Sequence, residues 1–160
     1  MTQASDLKGI TLCTSKAGLA AGSTSTYTTA ATTSGMIGGK YVTALSAQTD
    51  TATPTTDYSG AAFTALGVSE GCVFVFSLIA AGTLKIHQGE VRALDASNAF
   101  NIAPQFPAID LDTYMPFGYL VLKNGSTGSA WTFGASNWTA TGAVDTFTDV
   151  GVLPRRPQTA

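Results

Sequence analysis

The strongest pattern in the chain is a pair of apolar runs joined by small residues, between Cys72 and Gly89. Successive side chains of a strand point to opposite faces, and both faces of the first run are apolar. They carry Val73, Val75 and Ile79 on one side, and Phe74, Phe76 and Leu78 on the other. The pattern predicts a β-hairpin whose first strand is covered on both sides, inside a sheet or a sandwich.

Upstream of this hairpin the chain is rich in Thr, Ser, Ala and Gly. Thr is stiff at its branched β-carbon and favours strands, and the scattered glycines interrupt any helix. We predict strands at Gly9–Cys13, Thr24–Thr33 and Lys40–Ala47. The polar segment Gln48–Asp57 is predicted to be a loop or an edge strand, and Ala61–Val68 a very short helix.

Downstream of the hairpin, Glu90–Asn101 is predicted to form a short helix or an excursion. The proline-rich link Pro104–Pro116 is predicted not to be a central strand, because proline lacks a backbone donor. Phe117–Lys123 alternates as a strand, and a glycine-containing turn joins it to Ala130–Phe133 in a second predicted hairpin. Val144–Val150 is predicted to be the last strand.

Side-chain alternation also predicts the core. In the strand at Phe117–Lys123, we expect one face to carry Phe117, Tyr119 and Val121, and the other Leu120 and Leu122. Aromatic side chains contribute most to burial. We expect most of the following in the core: Phe74, Phe76, Phe117, Tyr119, Trp131 and Phe133.

About eight strands separated by turns, with little helix, indicate an all-β fold: a sandwich, a barrel or a jelly roll. The prediction is an antiparallel, jelly-roll-like sandwich in one domain over residues 1–160. Residues 1–33 would form an extended arm or edge strands, 34–152 the sandwich core, and 153–160 an extended tail.

Charge narrows the function classes. Only 11% of the residues are charged, against 44% hydrophobic, with a net charge of −2. Soluble proteins usually carry roughly 25% charged residues, so this composition favours a subunit embedded in an assembly.

No apolar run approaches the roughly 18 residues of a membrane-spanning helix, and the start MTQASDLKG lacks the apolar stretch of a secretory signal. Cys13 and Cys72 are expected to be reduced and buried.

Candidate chemistry is sparse. His87 is the sole histidine, and a solvent-facing strand residue is favoured over a catalytic base. Asp110 and Asp112 are favoured as solvated acids over a cation site or an acid–base pair. Arg155 and Arg156, in an extended tail, would either dock on an acidic protein surface or stay solvated; they are too few for nucleic acid.

Three tyrosines are candidate interface anchors, because tyrosine is enriched at interfaces, and each has an alternative role as a core or surface aromatic. They are Tyr27, Tyr41 and Tyr58.

Four segments resemble a group of small virion proteins of tailed bacteriophages. They are GTLKIHQGEV, FPAIDLDTYMPFGYLVLKNG, WTFGASNWTATGAV and TFTDVGVLPRRPQ, with matching positions at Ala81–Gly89, Pro104–Leu122, Trp131–Trp138 and Leu153–Gln158. The resemblance covers the C-terminal half strongly, and the N-terminal part only in its Thr-rich character.

The resemblance implies a capsid decoration, or cement, protein that binds the outer surface of a phage capsid and bridges neighbouring capsomers. Its implied partners are the major capsid protein and further copies of itself, as a homodimer or homotrimer, with no membrane and no direct nucleic acid. Its implied location is the capsid exterior, after synthesis in the host cytoplasm. No cofactor, metal or enzyme activity is expected. Met1–Thr33 and Leu153–Ala160 are expected to contact the shell or sister subunits.

Two alternatives come from other classes. A receptor- or glycan-binding module of a head or tail fibre would use exposed aromatics, here Trp131 and Trp138, to stack on sugar rings. A hydrolase would need a cleft that places His87 beside a serine or a carboxylate.

Overall fold

A computed structural model describes residues 9–159, and within them the chain forms eleven strands and no helix. The strands are β1 Leu12–Cys13, β2 Leu19–Ala21, β3 Thr26–Thr29, β4 Gly35–Ile37, β5 Lys40–Tyr41, β6 Gln48–Ala52, β7 Glu70–Leu78, β8 Leu84–Gln88, β9 Arg92–Ala93, β10 Met115–Asn124 and β11 Ala143–Asp149. The part of the chain so described therefore has no helix long and apolar enough to cross a membrane.

The strands form three antiparallel sheets that pack together, so the predicted all-β sandwich is confirmed. The largest has the order β11-β10-β7-β8, with β9 also paired to β7. Two smaller sheets have the orders β1-β4-β5 and β2-β3-β6. A jelly-roll arrangement of the strands stays a prediction.

The central hairpin is confirmed as β7 and β8, which pair from Phe74 with Gln88 to Leu78 with Leu84. Its two faces also lie as predicted. We call the face of the large sheet that carries Phe74 and Phe76 the main face. The opposite one, which carries Val73 and Val75, is the back face.

Different parts of the chain cover the two faces. Aromatic side chains from outside the large sheet fill the main face, among them Tyr27, Phe63, Trp131, Phe133 and Trp138. Irregular segments cover the back face instead: they pack Phe100, Phe106, Ile109, Val150 and Leu153 on Val73, Val75, Tyr119 and Val121. All six aromatics expected in the core are buried.

One prediction about the core was wrong, namely the face of the large sheet on which Phe117 lies. Phe117 packs on the main face with Leu120 and Leu122, not with Tyr119 on the back face. The reason is a β-bulge between Pro116 and Gly118, where the register against β7 shifts. An extra residue on one strand reverses the alternation on one side of it.

The same bulge corrects the expectation that the proline-rich link avoids central strands. Pro116 is the second residue of β10, which lies between β11 and β7. Proline is tolerated at bulges, and Pro116 lies directly at this one, one residue from the start of the strand. The part of the link before β10, residues 104–114, contains no strand.

The prediction of the second hairpin was also wrong, because the strand that begins it pairs with a different segment from the one expected. β10 pairs with β11, from Asn124 with Ala143 to Gly118 with Asp149. The segment Ala130–Phe133 lies in the long connection between them, and of these residues only Trp131 forms a bridge, to Leu66. That connection instead carries Trp131 and Phe133 into the main core.

The short helix expected at Ala61–Val68 is absent, and this segment forms two isolated bridges instead, through Ala62 and Leu66. Glu90–Asn101 is an excursion with a short strand. The prediction of an edge strand within Gln48–Asp57 is confirmed by β6, which pairs with β3 alone.

The N-terminal segment, from residue 9 onward, belongs to the body of the protein. β1 and β2 are edge strands of the two small sheets, and Cys13, Leu19 and Tyr27 lie in the main core. Of the two alternatives predicted for this segment, residues 9–33 therefore provide edge strands and not an extended arm, because their apolar side chains are needed to fill the sandwich. Residues 1–8 of the predicted arm lie outside the described residues.

The C-terminal tail is docked on the protein's own back face. Leu153 packs on it, and the Gln158 backbone N–H donates to Tyr119 Oη at 2.9 Å. Lys123 Nζ donates to the Thr159 carbonyl at 3.1 Å. Pro157 is buried. The described part of the tail therefore lies against the domain, and its extended conformation stays a prediction.

Candidate interaction surface

An apolar groove of about 180 Å³ lies on the outer side of the segments that cover the back face, and two chain segments border it. One wall comes from the proline-rich link and the other from the start of the tail, and Thr11 lies between them at one end of β1. The apolar lining consists of Pro107, Ile109, Leu111, Pro116, Val152 and Leu153. We call this feature the apolar groove.

Residues 11–13, which end in strand β1, connect both walls. Thr11 Oγ1 donates to the Leu111 carbonyl at 2.7 Å and accepts from the Gly38 N–H at 3.0 Å. The Cys13 N–H donates to the Gly151 carbonyl at 2.8 Å, which fixes the opposite wall. Because both walls are hydrogen-bonded to residues 11–13, the groove is formed before any partner arrives.

The rim of the groove exposes apolar surface. Leu111 is 49% exposed and Val152 is 60% exposed, and Ile10, next to Thr11 in the chain, is 65% exposed. A single exposed apolar residue is ordinary, but a group around a concave site is typical of a binding surface. Burial of one such side chain contributes about 1.5–3 kcal/mol.

Charged residues are close in the chain to the lining residues of both walls. Asp110 and Asp112 flank Leu111 and are exposed, as expected of solvated acids. Asp110 also holds a turn: its carboxylate accepts from Thr113 Oγ1 at 2.6 Å and from the Asp112 N–H at 3.0 Å. These hydrogen bonds, that from Thr113 first, lower the pKa of Asp110 below its ordinary value, so it is ionised at neutral pH.

On the other side, Arg155 and Arg156 follow Leu153 and are exposed. Neither takes part in an ion pair with any of residues 9–159. Within the same range, no group of three or more His, Cys, Asp or Glu side chains could hold a metal ion.

The three candidate tyrosines lie in different environments. Tyr41 on β5 is 83% exposed, and Tyr58 is 41% exposed. Tyr27 is 3% exposed, with its ring 6.2 Å from that of Phe76. Tyr27 therefore has the core role, one of the two alternatives predicted for it, because strand alternation turns its ring into the main core.

His87 is fully buried, so the expectation of a solvent-facing residue was wrong. It pairs with Val75 in the register and so belongs to the back face. The Tyr58 ring stacks on it at 4.5 Å, and the Tyr114 ring meets it edge-on at 4.6 Å. Sequence periodicity could not reveal this cover, because both tyrosines come from outside the strand.

Burial lowers the pKa of His87 to about 4, although the nearby carboxylate of Asp57 acts in the opposite direction. The imidazole is therefore neutral at pH 7. Its Nε2 lies 2.8 Å from Ser77 Oγ, and Ser77 Oγ also reaches the Lys85 carbonyl at 3.2 Å. His87 Nδ1 has no hydrogen-bond partner within residues 9–159.

A serine beside the histidine is one requirement of the hydrolase alternative. The other, an open cleft, is missing at this pair, because Ser77 and His87 both have no exposed surface. A nucleophile and base must reach the reacting atoms of a substrate. In this conformation the pair acts as a buried polar contact.

The feature on which the glycan-binding alternative depends is also absent. Trp131 and Trp138 are 1% and 3% exposed, and their rings lie 5.6 Å apart in the main core. The indole N–H of Trp131 donates to the Asn137 carbonyl at 3.0 Å. Neither ring can stack on a sugar from this position.

The cysteines are buried and unpaired, as predicted. Burial raises the pKa of the Cys72 thiol to about 12. The thiolate is the reactive form, so Cys72 is unreactive in the folded protein.

Comparisons with models of protein families, with curated proteins and with solved structures gave no match. The sequence interpretation missed the apolar groove. A signal was present, since Leu111 stands between two aspartates in a proline-rich link, but the opposite wall lies far along the chain.

Proposed function

We propose that this protein is a structural virion protein that binds the outer surface of a phage capsid and bridges neighbouring capsomers. The observation that carries the proposal is a preformed groove with an exposed apolar rim, on a rigid all-β body of low charge. The four resembling segments point to the same class of protein. All these features are typical of a protein that acts by binding to a larger surface.

Such contact would stabilise the head by mass action. A ligand that binds only the assembled shell shifts the equilibrium toward it, by about 2.7 kcal/mol per site at a hundredfold excess over Kd. Bridging subunits at many junctions multiply the effect.

Tyr41 is our first candidate for a shell contact. It projects from β5, a two-residue edge strand, and most of its ring is exposed. An exposed tyrosine supplies apolar area and a hydroxyl at little entropic cost. Tyr58 is a weaker candidate because its ring also covers His87.

The test is co-sedimentation of the full chain with undecorated heads, followed by electron cryomicroscopy of the pellet. We expect saturable binding at regular lattice positions and a higher temperature of head disruption. Tyr41→Ser should weaken binding about tenfold or more, since loss of an interface anchor costs at least 1.4 kcal/mol. Val144→Ser, at a half-exposed position of β11, is the matched control. Absence of wild-type protein from the heads would overturn the proposal.

Point substitutions are preferable to removal of the chain ends. Deletion of 153–160 would strip Leu153 from the back face and leave Tyr119 without its contact to Gln158. Deletion through Thr33 would remove core side chains of β1 to β3. Either truncation would confuse lost folding with lost binding.

A further inference from the structure

We propose that Asn124 is a deamidation site that the fold keeps closed, and that reaction there in the unfolded chain prevents the chain from folding. The proposal is independent of capsid binding. Its basis is the pair Asn124 and Gly125, the only Asn-Gly in the sequence, at a strand end where three carbonyls hold the asparagine amide.

An asparagine followed by glycine can lose its side-chain amide through attack by the next backbone nitrogen. The nitrogen of Gly125 would bond to Cγ of Asn124, and the bond from Cγ to Nδ2 would break. The proton of the Gly125 N–H leaves with Nδ2 as ammonia, and a cyclic succinimide remains. Water then opens the ring to aspartate or isoaspartate. Glycine favours the first step because it has no side chain to obstruct ring closure.

The fold holds the leaving amide of Asn124. This residue is 1% exposed, so water has almost no access to it. Its Nδ2 donates to the carbonyls of Leu66, Gly67 and Ser129, at 3.3, 3.0 and 2.8 Å. Departure of the nitrogen would leave all three buried acceptors without this donor, which opposes the reaction.

The fold also holds the attacking nitrogen. The Gly125 N–H donates to the Gly142 carbonyl at 2.8 Å, and Asn124 is paired with Ala143 on one side and with Glu70 on the other. Ring closure requires this N–H to lose its proton and its peptide group to rotate toward the side chain. Pairing on both sides of β10 opposes that rotation, so the reaction must wait until this end of the strand opens.

Neither product fits the folded site. Aspartate has a carboxylate that donates no hydrogen bond, so it would turn a negative charge toward carbonyl oxygens. The other side of the amide offers no relief: Asn124 Oδ1 has no partner within residues 9–159, and it occupies the space in which a side chain of residue 128 would lie. Isoaspartate lengthens the backbone, so it would disturb the register of β10 against both neighbours.

The damage would extend into the main core. Leu66, an acceptor of the Asn124 amide, exchanges backbone hydrogen bonds with Trp131 at 2.7 and 2.9 Å. Ser129, another acceptor, lies two residues before Trp131 in the same connection. The amide thus fixes both sides of the bridge that places Trp131. We therefore expect its loss to abolish cooperative folding, which limits the time for which an unfolded chain can still fold.

The test is incubation of the full chain at mildly alkaline pH, once folded and once in concentrated urea, with mass spectrometry of the peptide that contains Asn124. Deamidation should be at least about a hundredfold faster in urea, since the folded protein reacts only after opening. After removal of urea, the deamidated fraction should lack the near-ultraviolet circular dichroism of the buried Trp131 and Trp138. Asn124→Asp should lack it from the start.

Gly125→Ala is the matched control. The nearest atoms to a Cβ at this position belong to the end of the Asn98 side chain, with Nδ2 at 2.9 Å, and this end can move. The variant should therefore fold. In urea it should deamidate at least about tenfold more slowly, because a side chain obstructs ring closure. More of it than of the wild type should refold after the same incubation.

Three results would each overturn the proposal. They are equal deamidation rates in the folded and unfolded protein, an Asn124→Asp variant that unfolds with the wild-type transition, and equal loss of refolding in the wild type and Gly125→Ala. Capsid heads take no part in these measurements, so their outcome is separate from that of the capsid-binding test.

Discussion

The two faces of the large sheet are covered in different ways. On the main face, aromatic rings interlock: Phe133 stacks on Phe74 at 4.8 Å and lies 4.9 Å from Phe63. On the back face, a smaller cluster lies under the proline-rich link and the tail, where Phe106 meets Tyr119 edge-on at 5.0 Å.

Because of this difference, the main face serves mainly stability, whereas the cover of the back face offers a surface for interaction. The main core is closed by large rings with almost no exposed surface, so it has little to offer a partner. The cover of the back face is thin, and its outer side forms the apolar groove. Segments without regular structure can present side chains outward because a rigid sheet supports them.

The largest expected effect is on the free energy of unfolding, when the same substitution, phenylalanine to alanine, is made on each of the two faces. Phe74→Ala should lower the free energy of unfolding by about 3–5 kcal/mol, because a fully buried ring leaves a cavity that the main core cannot close. Phe106→Ala should cost about 1–2 kcal/mol, because Phe106 is only partly buried and lies in a segment without regular structure. Urea denaturation measures both values. Equal losses would contradict the division between the faces.

The next largest effect is the loss of folding stability in acid. Unfolded His87 binds a proton near pH 6.5, whereas the folded residue does so only near pH 4. Between these values the unfolded state binds more protons, so stability is complete above pH 6.5 and falls as the pH drops toward 4. The full loss is up to about 3 kcal/mol, at 1.36 kcal/mol per pKa unit.

His87→Phe is the matched control for this prediction. Phenylalanine keeps a ring against Tyr58 and Tyr114 and removes the titration, and Ser77 Oγ retains the Lys85 carbonyl. Urea denaturation at several pH values should give a flatter profile between pH 6.5 and 4 in the variant. The same slope in both proteins would mean that groups other than His87 cause the loss.

The smallest effect concerns the tail. Tyr119→Phe removes the hydroxyl that accepts the Gln158 N–H, at a cost of about 1 kcal/mol. Hydrogen exchange at the Gln158 amide should accelerate about fivefold, while strands β7 and β10 keep their protection. Tyr41→Phe, an exposed tyrosine, controls for loss of a hydroxyl. Unchanged exchange at Gln158 would mean that this contact does not hold the tail.

Sequence pattern predicted the strands whose neighbours are local. The hairpin of β7 and β8 and the alternation of Phe74 against Val75 follow from periodicity and a short turn. The prediction for the candidate site was less complete. Tyr41 was chosen from residue type alone and its role stays a prediction, and nothing in the sequence distinguished it from Tyr27, which is buried.

The errors have one cause, which is contact between residues distant in sequence. Phe117 changed face because β10 bulges against β7, and β10 found its partner in β11, past a long connection. His87 is covered by tyrosines from two other segments. Periodicity describes one strand at a time, so it cannot include these neighbours.

The amino-acid sequence by itself determined that this protein is an all-β body of low charge, because alternating apolar side chains and frequent turn residues leave no other way to bury them. Tertiary structure decided which residues are available to a partner. The apolar groove exists only where Leu111 and Gly151, far apart in the chain, are held by hydrogen bonds from Thr11 and Cys13. Exposure depends on which segments cover each other, and that is a property of the folded molecule.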